Sequence, residues 1–267
     1  MLKHGIAAAL SAFIVLYGSP SGPVRAETPG DARAQVVETP VRYLSGTDTV
    51  SALLYRPAGD SALPGVVVIH EWWGLNDWIR ESAKRIAATG CVALAIDLYR
   101  GHVATTAEEA HELMRGVPED RAARDLKSAV QFLRSRRDVD GTRIGAVGWC
   151  MGGGYALQTA LVVPDLAACV ICYGRLVSED STLQGLHASV YGIFGADDRG
   201  IPRADVVAFQ EQARRLGKNV TMEVFDGVGH AFMNPNNTSG YQEAAATRAW
   251  KSILDFLAVS LVKPPSK

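Results

Sequence analysis

Apolar residues follow two alternating patterns along most of this chain. Short β-branched runs, typical of strands buried on both faces, alternate with longer stretches whose apolar positions return every three or four residues, as in helices. After an opening hairpin in VRYLSG and TVSALLYRP, the predicted strands are PGVVVIHE, CVALAIDLY, RIGAVGW, ACVICY, SVYGIFG and VTMEVF. The predicted helices are 77–90, 105–115, 119–136, a stretch beginning at Met151, 203–216 and 240–259. Since strands alternating with helices form a parallel sheet covered on both faces, we expect an α/β fold with a mostly parallel, doubly wound sheet.

The N-terminus departs from this pattern. A basic start precedes an apolar run at 5–16 and a stretch of small residues that ends at Ala26. This is the layout of a secretory signal peptide. The apolar run is shorter than the roughly 20 residues that cross a bilayer, although a membrane anchor is the alternative. We expect a signal peptide at 1–26, a flexible lead-in at 27–38 and one domain at 39–267, in a periplasmic or secreted protein without a membrane span after cleavage.

Composition narrows the possible partners. The chain has 27 Lys and Arg against 28 Asp and Glu, a net charge of −1, and no strongly basic segment. Nothing therefore indicates nucleic-acid binding. A hydrophobic content of 48% allows a sizeable core. We expect a monomer that acts on a small molecule.

The four cysteines matter because an exported protein meets an oxidising compartment. Cys169 and Cys172 form a C-x-x-C motif, which is redox-active when it lies at a helix N-terminus. Here the motif lies in a β-prone run, where positions i and i+3 point to opposite faces of the sheet. We therefore expect two separate core cysteines and four free thiols, with Cys91 and Cys150 as the other two.

Three reactive residue types each follow a predicted strand. Cys150 is the centre of GWCMG, a Gly-x-nucleophile-x-Gly pattern with cysteine in the place of serine, while Asp198 and His230 follow two later strands. The order nucleophile, acid, histidine is that of α/β-hydrolases, whose catalytic groups lie at strand C-termini. A helix that begins at Met151 would direct its positive end at the sulfur. Each residue alone could be a buried cysteine, a surface aspartate or a turn histidine, but the ordered set predicts a catalytic triad.

The sequence resembles the dienelactone hydrolase family. The matching segments are IHEWWGLNDWIR, AIDLYRG, IGAVGWCMGGG, FGADDRGIP and GVGHAFMNP, which run in family order over nearly the whole predicted mature chain. The most specific are Glu71 in HEWWGLN and the cysteine in GWCMGG. The resemblance implies an α/β-hydrolase fold and hydrolysis of ester or lactone bonds without a metal or organic cofactor. His70, His102 and His111 also lack the spacing of a zinc site, so we interpret them as structural.

The resemblance also implies a role for each site residue. Cys150 matches the nucleophile, His230 the general base, and Asp198 the acid, because the family pattern matches DRGIP; Asp197 is the alternative acid. The backbone amides of Met151 and Trp72 match the oxyanion hole.

Glu71 matches a carboxyl that touches the nucleophile in the resting enzyme. A carboxylate there would oppose thiolate formation by like-charge repulsion and would protect the sulfur from oxidation. Substrate binding that moved Glu71 away would let His230 take the thiol proton. The alternative is a surface carboxylate at a strand end.

The substrate pocket departs from the family pattern. Members that cleave dienelactone hold its carboxylate with arginines, one of them four residues after the catalytic histidine, where this chain has Asn234. We therefore expect a preference for uncharged esters or lactones, although Arg100 or Arg199 could supply the missing cation. Four tryptophans near the predicted site suggest a flat apolar pocket, although each of them could instead belong to the core. They are Trp72, Trp73, Trp78 and Trp149. The alternatives are a broad carboxylesterase or thioesterase and a non-catalytic thiol sensor on the same fold.

Overall fold

The structure is a computed structural model that describes residues 1–2, 35–177 and 179–262. Residues 35–177 and 179–262 belong to one compact unit. The predicted signal peptide, apart from its first two residues, lies outside the described residues.

Eight strands form a single sheet. They are β1 Val36–Ser45, β2 Asp48–Pro57, β3 Leu63–Ile69, β4 Val92–Ile96, β5 Val139–Trp149, β6 Ala168–Cys172, β7 Ser189–Gly195 and β8 Val220–Phe225. Their spatial order is β1-β2-β4-β3-β5-β6-β7-β8. The pairs β1/β2 and β2/β4 are antiparallel, and every later pair is parallel. The predicted α/β class, with a mostly parallel sheet after an opening hairpin, is confirmed.

Helices cover both faces of the sheet. They are α1 Asp77–Ala87, α2 Ala107–Arg115, α3 Glu119–Ser135, α4 Met151–Val162, α5 Asp180–Gln184, α6 Arg203–Arg215 and α7 Glu243–Leu257, followed by a π-helix at Ala258–Val262. Buried residues of α3, α4, α5 and α6 pack into the apolar core on one face. Those of α1, α7 and the π-helix pack into the core on the other face. The sheet is therefore doubly wound, because its central strands are buried from both sides. No helix within residues 35–177 and 179–262 combines the length and hydropathy that crossing a bilayer requires.

The differences from the predicted elements include two starting residues and one additional helix. Strand β1 begins at Val36, inside the expected lead-in, because Val36 pairs with Pro57 across the hairpin. Helix α5 was not predicted, since five residues are too few to show a helical period. Helix α7 begins at Glu243 rather than at residue 240, because turn hydrogen bonds from Gly240 and Tyr241 to Asn237 precede it.

The cysteine predictions are confirmed. Cys169 and Cys172 lie on the same strand, β6, and belong to the cores on opposite faces of the sheet. All four cysteines are free, and Cys150 is the only one of them that is not fully buried. The alternation of a strand thus keeps this C-x-x-C pair apart.

Candidate active site

Cys150 occupies a sharp turn between β5 and α4. Its backbone angles, φ 54° and ψ −119°, lie outside the regions that ordinary residues favour. The turn needs glycines on both sides. A Cβ at Gly148 would overlap the carbonyl oxygen of Gly152, and a Cβ at Gly152 would lie 2.5 Å from the carbonyl oxygen of His70. This is the strand–turn–helix geometry of a nucleophile elbow, and it presents the sulfur at the end of the sheet.

The structure brings Cys150, His230 and Asp198 together in one hydrogen-bonded chain. His230 Nε2 lies 3.1 Å from Cys150 Sγ, and His230 Nδ1 lies 2.7 Å from Asp198 Oδ2. The backbone amides of Gly200 and Ile201 donate to the other carboxylate oxygen, Oδ1. Of the two neighbouring aspartates, buried Asp198 is therefore the one that contacts His230, whereas Asp197 is exposed.

The two hydrogen-bond partners of His230 favour its protonated form. Burial by itself lowers the pKa of His230, but its hydrogen bonds to Asp198 and Cys150 raise that pKa to about 10. Burial likewise opposes ionisation of Asp198, yet its hydrogen bond from His230 and the two amides hold the carboxyl pKa below its usual value. An imidazolium between a carboxylate and a sulfur is the arrangement that stabilises a thiolate.

Two neighbours of the histidine were missed by sequence reasoning. Asn237 donates from Nδ2 to the carbonyl oxygens of His230 and Ala231, at 3.2 and 3.3 Å, and so fixes the loop after β8. The ring of Tyr173, which directly follows β6, meets the His230 ring edge-on with centroids 5.3 Å apart. The one signal for Tyr173 was its place at the C-terminal end of a parallel strand, the edge where the other site residues lie.

Met151 and Trp72, whose backbone amides are expected to form an oxyanion hole, line the same cavity as Cys150. Met151 is the first residue of α4, so its N–H has no partner within the helix. Within the described residues, neither the Met151 amide nor the Trp72 amide donates a hydrogen bond to another residue. Two unused donors beside a nucleophile are suited to an oxygen that becomes negative.

Glu71 is buried close to this site but is not bonded to Cys150. One carboxylate oxygen accepts a hydrogen bond from Asn234 Nδ2, and the other lies 3.4 Å from the Tyr173 hydroxyl. The Asn236 amide donates to Asn234 Oδ1 at 2.9 Å, which orients the Asn234 side chain so that its NH₂ faces Glu71. The Glu71 hydrogen bonds thus go to Asn234 and Tyr173, and the expected contact with the nucleophile stays a prediction.

Burial and neutral partners control the ionisation of Glu71. Burial raises its pKa to about 7, because the hydrogen bonds from Asn234 and Tyr173 and the nearby His230 offset only part of the desolvation. Asn234 stands where the family resemblance places an arginine. A neutral amide there leaves the buried carboxyl without a directly bonded cation.

The site opens into a cavity of about 1430 Å³. Trp72 and Trp73 lie on its wall as expected, together with Cys150 and His230. Arg175 is the one Lys or Arg among the described lining residues, it is exposed, and it shares the wall with Glu119 and Glu179. The remaining lining residues are mostly apolar or neutral.

Trp149 was expected to bind substrate, and the structure corrects this. Its side chain is fully buried and packs against Trp250 and Trp78, with ring centroids 5.5 and 6.0 Å away. As the last residue of β5, Trp149 faces the core beneath α1 and α7 rather than the cavity. Trp78 belongs to the same core cluster.

Arg100 and Arg199 were named as possible carboxylate-binding residues, and neither lines the cavity. The Arg100 guanidinium donates to buried Asp125 at 2.6 Å and to the Asp97 carbonyl oxygen at 3.3 Å, so it is directed at α3. Arg199 is exposed beyond Asp198. Within the described residues, no three His, Cys, Asp or Glu side chains come close enough together to hold a metal ion.

Comparison with known proteins agrees with this geometry. The family model for the dienelactone hydrolase family matches residues 50–261. A protein of Methylorubrum extorquens, named as a candidate carboxymethylenebutenolidase, is 31% identical over 78% of this chain and 76% of its own length. A Salmonella typhimurium protein with the same name is 31% identical over 90% of this chain and 93% of its own length.

Solved structures are also similar to this chain. A candidate dienelactone hydrolase from Klebsiella pneumoniae superposes with a TM-score of 0.77 at 27% identity, covering 84% of this chain and 99% of its own. A dienelactone hydrolase-like promiscuous phosphotriesterase from metagenomic libraries gives a TM-score of 0.78 at 25% identity, with coverage of 85% and 99%.

Proposed function

The chain belongs to the dienelactone hydrolase family and is a hydrolase of ester or lactone bonds, and from this premise we propose that it works through a thioester on Cys150. In this mechanism His230 is the general base and acid, and Asp198 orients the imidazole. The observation that carries the proposal is the hydrogen-bonded chain from Cys150 Sγ through His230 to Asp198 at a glycine-flanked turn.

The proposed reaction has two halves. In the first, the Cys150 thiolate attacks the ester carbonyl carbon, a C–S bond forms, and the oxygen becomes negative between the amides of Met151 and Trp72. The C–O bond then breaks, and the alkoxide leaves with the proton that His230 held. In the second, His230 takes a proton from water, the hydroxide attacks the thioester, and the C–S bond breaks to release a carboxylic acid and restore the thiolate.

Replacement of the nucleophile tests this mechanism. Cys150→Ala should lower hydrolysis of an aryl ester by about 10³-fold or more, because the triad residues act as a unit and loss of the nucleophile removes the effect of all three. Cys91→Ala is the matched control and should keep its activity, since Cys91 is buried away from the cavity. Mass spectrometry of native protein treated with iodoacetamide should find the label on Cys150 alone. Full activity of Cys150→Ala would refute the mechanism, whereas wild-type protein that hydrolyses no ester would favour the thiol-sensor alternative.

The cavity supports uncharged substrates. A buried carboxylate without a cationic partner costs several kcal/mol. Asn234 occupies the place of the expected arginine, and Arg100 is bonded to Asp125 instead. We therefore infer that neutral esters or lactones are preferred to dienelactone, whose free carboxylate lies beside its scissile bond.

We also propose that the protein is exported and cleaved near Ala26. The proposal rests on the basic start, the short apolar run and the small residues before Glu27. N-terminal sequencing of the exported fraction should read from about Glu27. Recovery of Met1 from that fraction would contradict export by a cleaved signal peptide. The monomer expected from the sequence stays a prediction for sedimentation analysis.

A further inference from the structure

His70 is a buried histidine that the triad does not use. It directly follows β3, is fully buried and precedes Glu71 and Trp72 in the chain. Its spacing from other histidines in the sequence indicates only a structural role. Both of its ring nitrogens have partners: Nδ1 lies 2.6 Å from the Glu71 carbonyl oxygen, and Nε2 accepts the Leu98 amide at 3.2 Å.

These two partners fix the tautomer of His70. Because Nε2 accepts the Leu98 N–H, that nitrogen carries no proton, so the neutral ring carries its proton on Nδ1. Nδ1–H therefore donates to the Glu71 carbonyl oxygen. Burial lowers the pKa of His70, which keeps the ring neutral and preserves this arrangement.

The carbonyl that His70 holds belongs to the peptide whose N–H is that of Trp72. In a trans peptide the C=O and the N–H point in opposite directions, so fixing one fixes the other. The Gly74 amide also donates to the Glu71 oxygen, at 3.1 Å, and closes the turn. Two donors on one carbonyl hold the peptide plane and polarise it, which makes its N–H a stronger donor.

This peptide lies against the nucleophile turn. The first turn of α4 packs so closely on the end of β3 that a Cβ at Gly152 would meet the His70 carbonyl oxygen at 2.5 Å. Trp72 shares the cavity wall with Cys150, and its amide has no acceptor within the described residues.

We propose that His70 is a positioning residue for the oxyanion hole: its Nδ1–H holds the Glu71–Trp72 peptide so that the Trp72 amide faces the reacting carbonyl oxygen. The inference rests on the proposed thioester mechanism. His70 never touches substrate in this role, and it acts only through the peptide that it holds.

Two substitutions separate the two hydrogen bonds of the ring. In His70→Asn the side-chain NH₂ occupies the place of Nδ1 and can still donate to the Glu71 carbonyl oxygen. In His70→Gln the terminal amide reaches the place of Nε2, so it can accept the Leu98 N–H but leaves the Glu71 oxygen without its side-chain donor. We expect kcat for a neutral aryl ester to fall about 10- to 100-fold in His70→Gln with little change in KM, because loss of an oxyanion donor acts on the transition state. His70→Asn should stay within about fivefold of the wild type.

Alkylation of the same sulfur distinguishes loss of the oxyanion donor from a general disturbance of the active site. Alkylation of Cys150 by iodoacetamide needs the thiolate and His230 but forms no oxyanion. Its rate should be the same, within about twofold, in wild type and both variants.

Each outcome decides the question. Slow hydrolysis with normal alkylation in His70→Gln, together with rescue in His70→Asn, supports the proposal. Equal loss of both reactions, or equal hydrolysis by the two variants, would overturn it and leave His70 a purely structural residue. Failure of the mechanism itself is seen separately, as wild-type protein that shows no acyl adduct on Cys150 when mixed with the ester.

Discussion

Asp197 and Asp198 are neighbours in sequence, but only Asp198 reaches the histidine. The Asp198 side chain is 1% exposed and lies 2.7 Å from His230 Nδ1, whereas Asp197 is exposed. Two backbone amides also hold the Asp198 carboxylate. The pair therefore offers a matched test of the acid.

Asp198→Asn should lower kcat by about 10²- to 10⁴-fold, because an amide cannot stabilise the imidazolium and can hold the wrong tautomer. Asp197→Asn should stay within about twofold of the wild type, as expected for an exposed side chain. Steady-state kinetics on one neutral ester measures both. Equal losses in the two variants would show that the acid is wrongly assigned.

Glu71 is the second residue whose surroundings are informative. Its neutral partner Asn234 leaves the buried carboxyl with a pKa of about 7. Since this folded-state pKa lies above the value of 4.5 in the unfolded chain, the folded state binds the proton more tightly. The stability that the proton provides is present below about pH 4.5 and is lost as the pH rises through about 7.

Glu71→Gln should therefore gain melting temperature relative to the wild type as the pH rises from 5 to 8. The full effect is on the order of 3 kcal/mol, which corresponds to several degrees in a domain of this size. Thermal unfolding across that pH range measures it, with the exposed residue changed in Glu211→Gln as control. A constant difference between the Glu71→Gln and wild-type curves would contradict a near-neutral pKa for Glu71.

At the scale of elements, the site depends on how closely α4 packs against β3. Helix α4 begins with Met151 and Gly152 directly after Cys150, and it leaves no room for a Cβ at Gly152 beside the carbonyl oxygens of Ile69 and His70. This contact holds the two proposed oxyanion donors side by side, although one follows β3 and the other begins α4.

Gly152→Ala should force these elements apart. Its Cβ would overlap the Ile69 carbonyl oxygen, so we expect the melting temperature to fall by about 4 °C or more. We also expect kcat to fall, because the donors would separate. Gly185→Ala is the control: its Cβ would lie 3.5 Å from the Thr182 oxygen, an ordinary contact, and should change the melting temperature by less than about 2 °C. Equal changes in both variants would contradict the close-packing argument.

At the scale of the whole molecule, the charges around the cavity determine the substrate class. Arg100 and Arg199, the cations expected near the site, do not line the cavity. Arg100 is bonded to Asp125, and Arg199 is exposed. Arg175 lines the cavity from the segment after β6, and its Cβ lies 3.5 Å from where a Cβ of Gly154 would be, beside the first turn of α4. It is the one Lys or Arg that lines the cavity within the described residues, and Glu119 and Glu179 share the wall.

A neutral ester should therefore have a kcat/KM at least about tenfold higher than an ester of similar size with a free carboxylate, a difference of roughly 1.4 kcal/mol. Arg175→Gln should change this ratio by less than about twofold, because an exposed cation beside two glutamates binds a carboxylate weakly. The measurement is a paired substrate comparison on both proteins. A preference for the carboxylate ester that disappears in Arg175→Gln would identify Arg175 as the carboxylate-binding residue and overturn the prediction.

Local pattern determined most of the fold. Apolar periodicity predicted the eight strands and six of the seven helices α1 to α7, since burial on one or two faces leaves a direct mark on the sequence. It did not predict α5, which is too short to show a period, or the start of β1, whose residues become a strand by pairing with β2. The strand setting of Cys169 and Cys172 was sufficient to keep them apart, because side-chain alternation is a local property.

The sequence by itself determined which residue types follow which strands, and therefore the order of Cys150, Asp198 and His230 along the chain. Only the tertiary structure decided where side chains point. Trp149 lies next to Cys150 in sequence, but its side chain packs in the core, and the Arg100 side chain is directed at Asp125. Arg175 lines the cavity although no sequence motif marks it. The physical reason is that period and propensity act between neighbours in sequence, while these contacts join residues on different strands and helices. Such contacts exist only after the sheet has brought its strand ends to one edge.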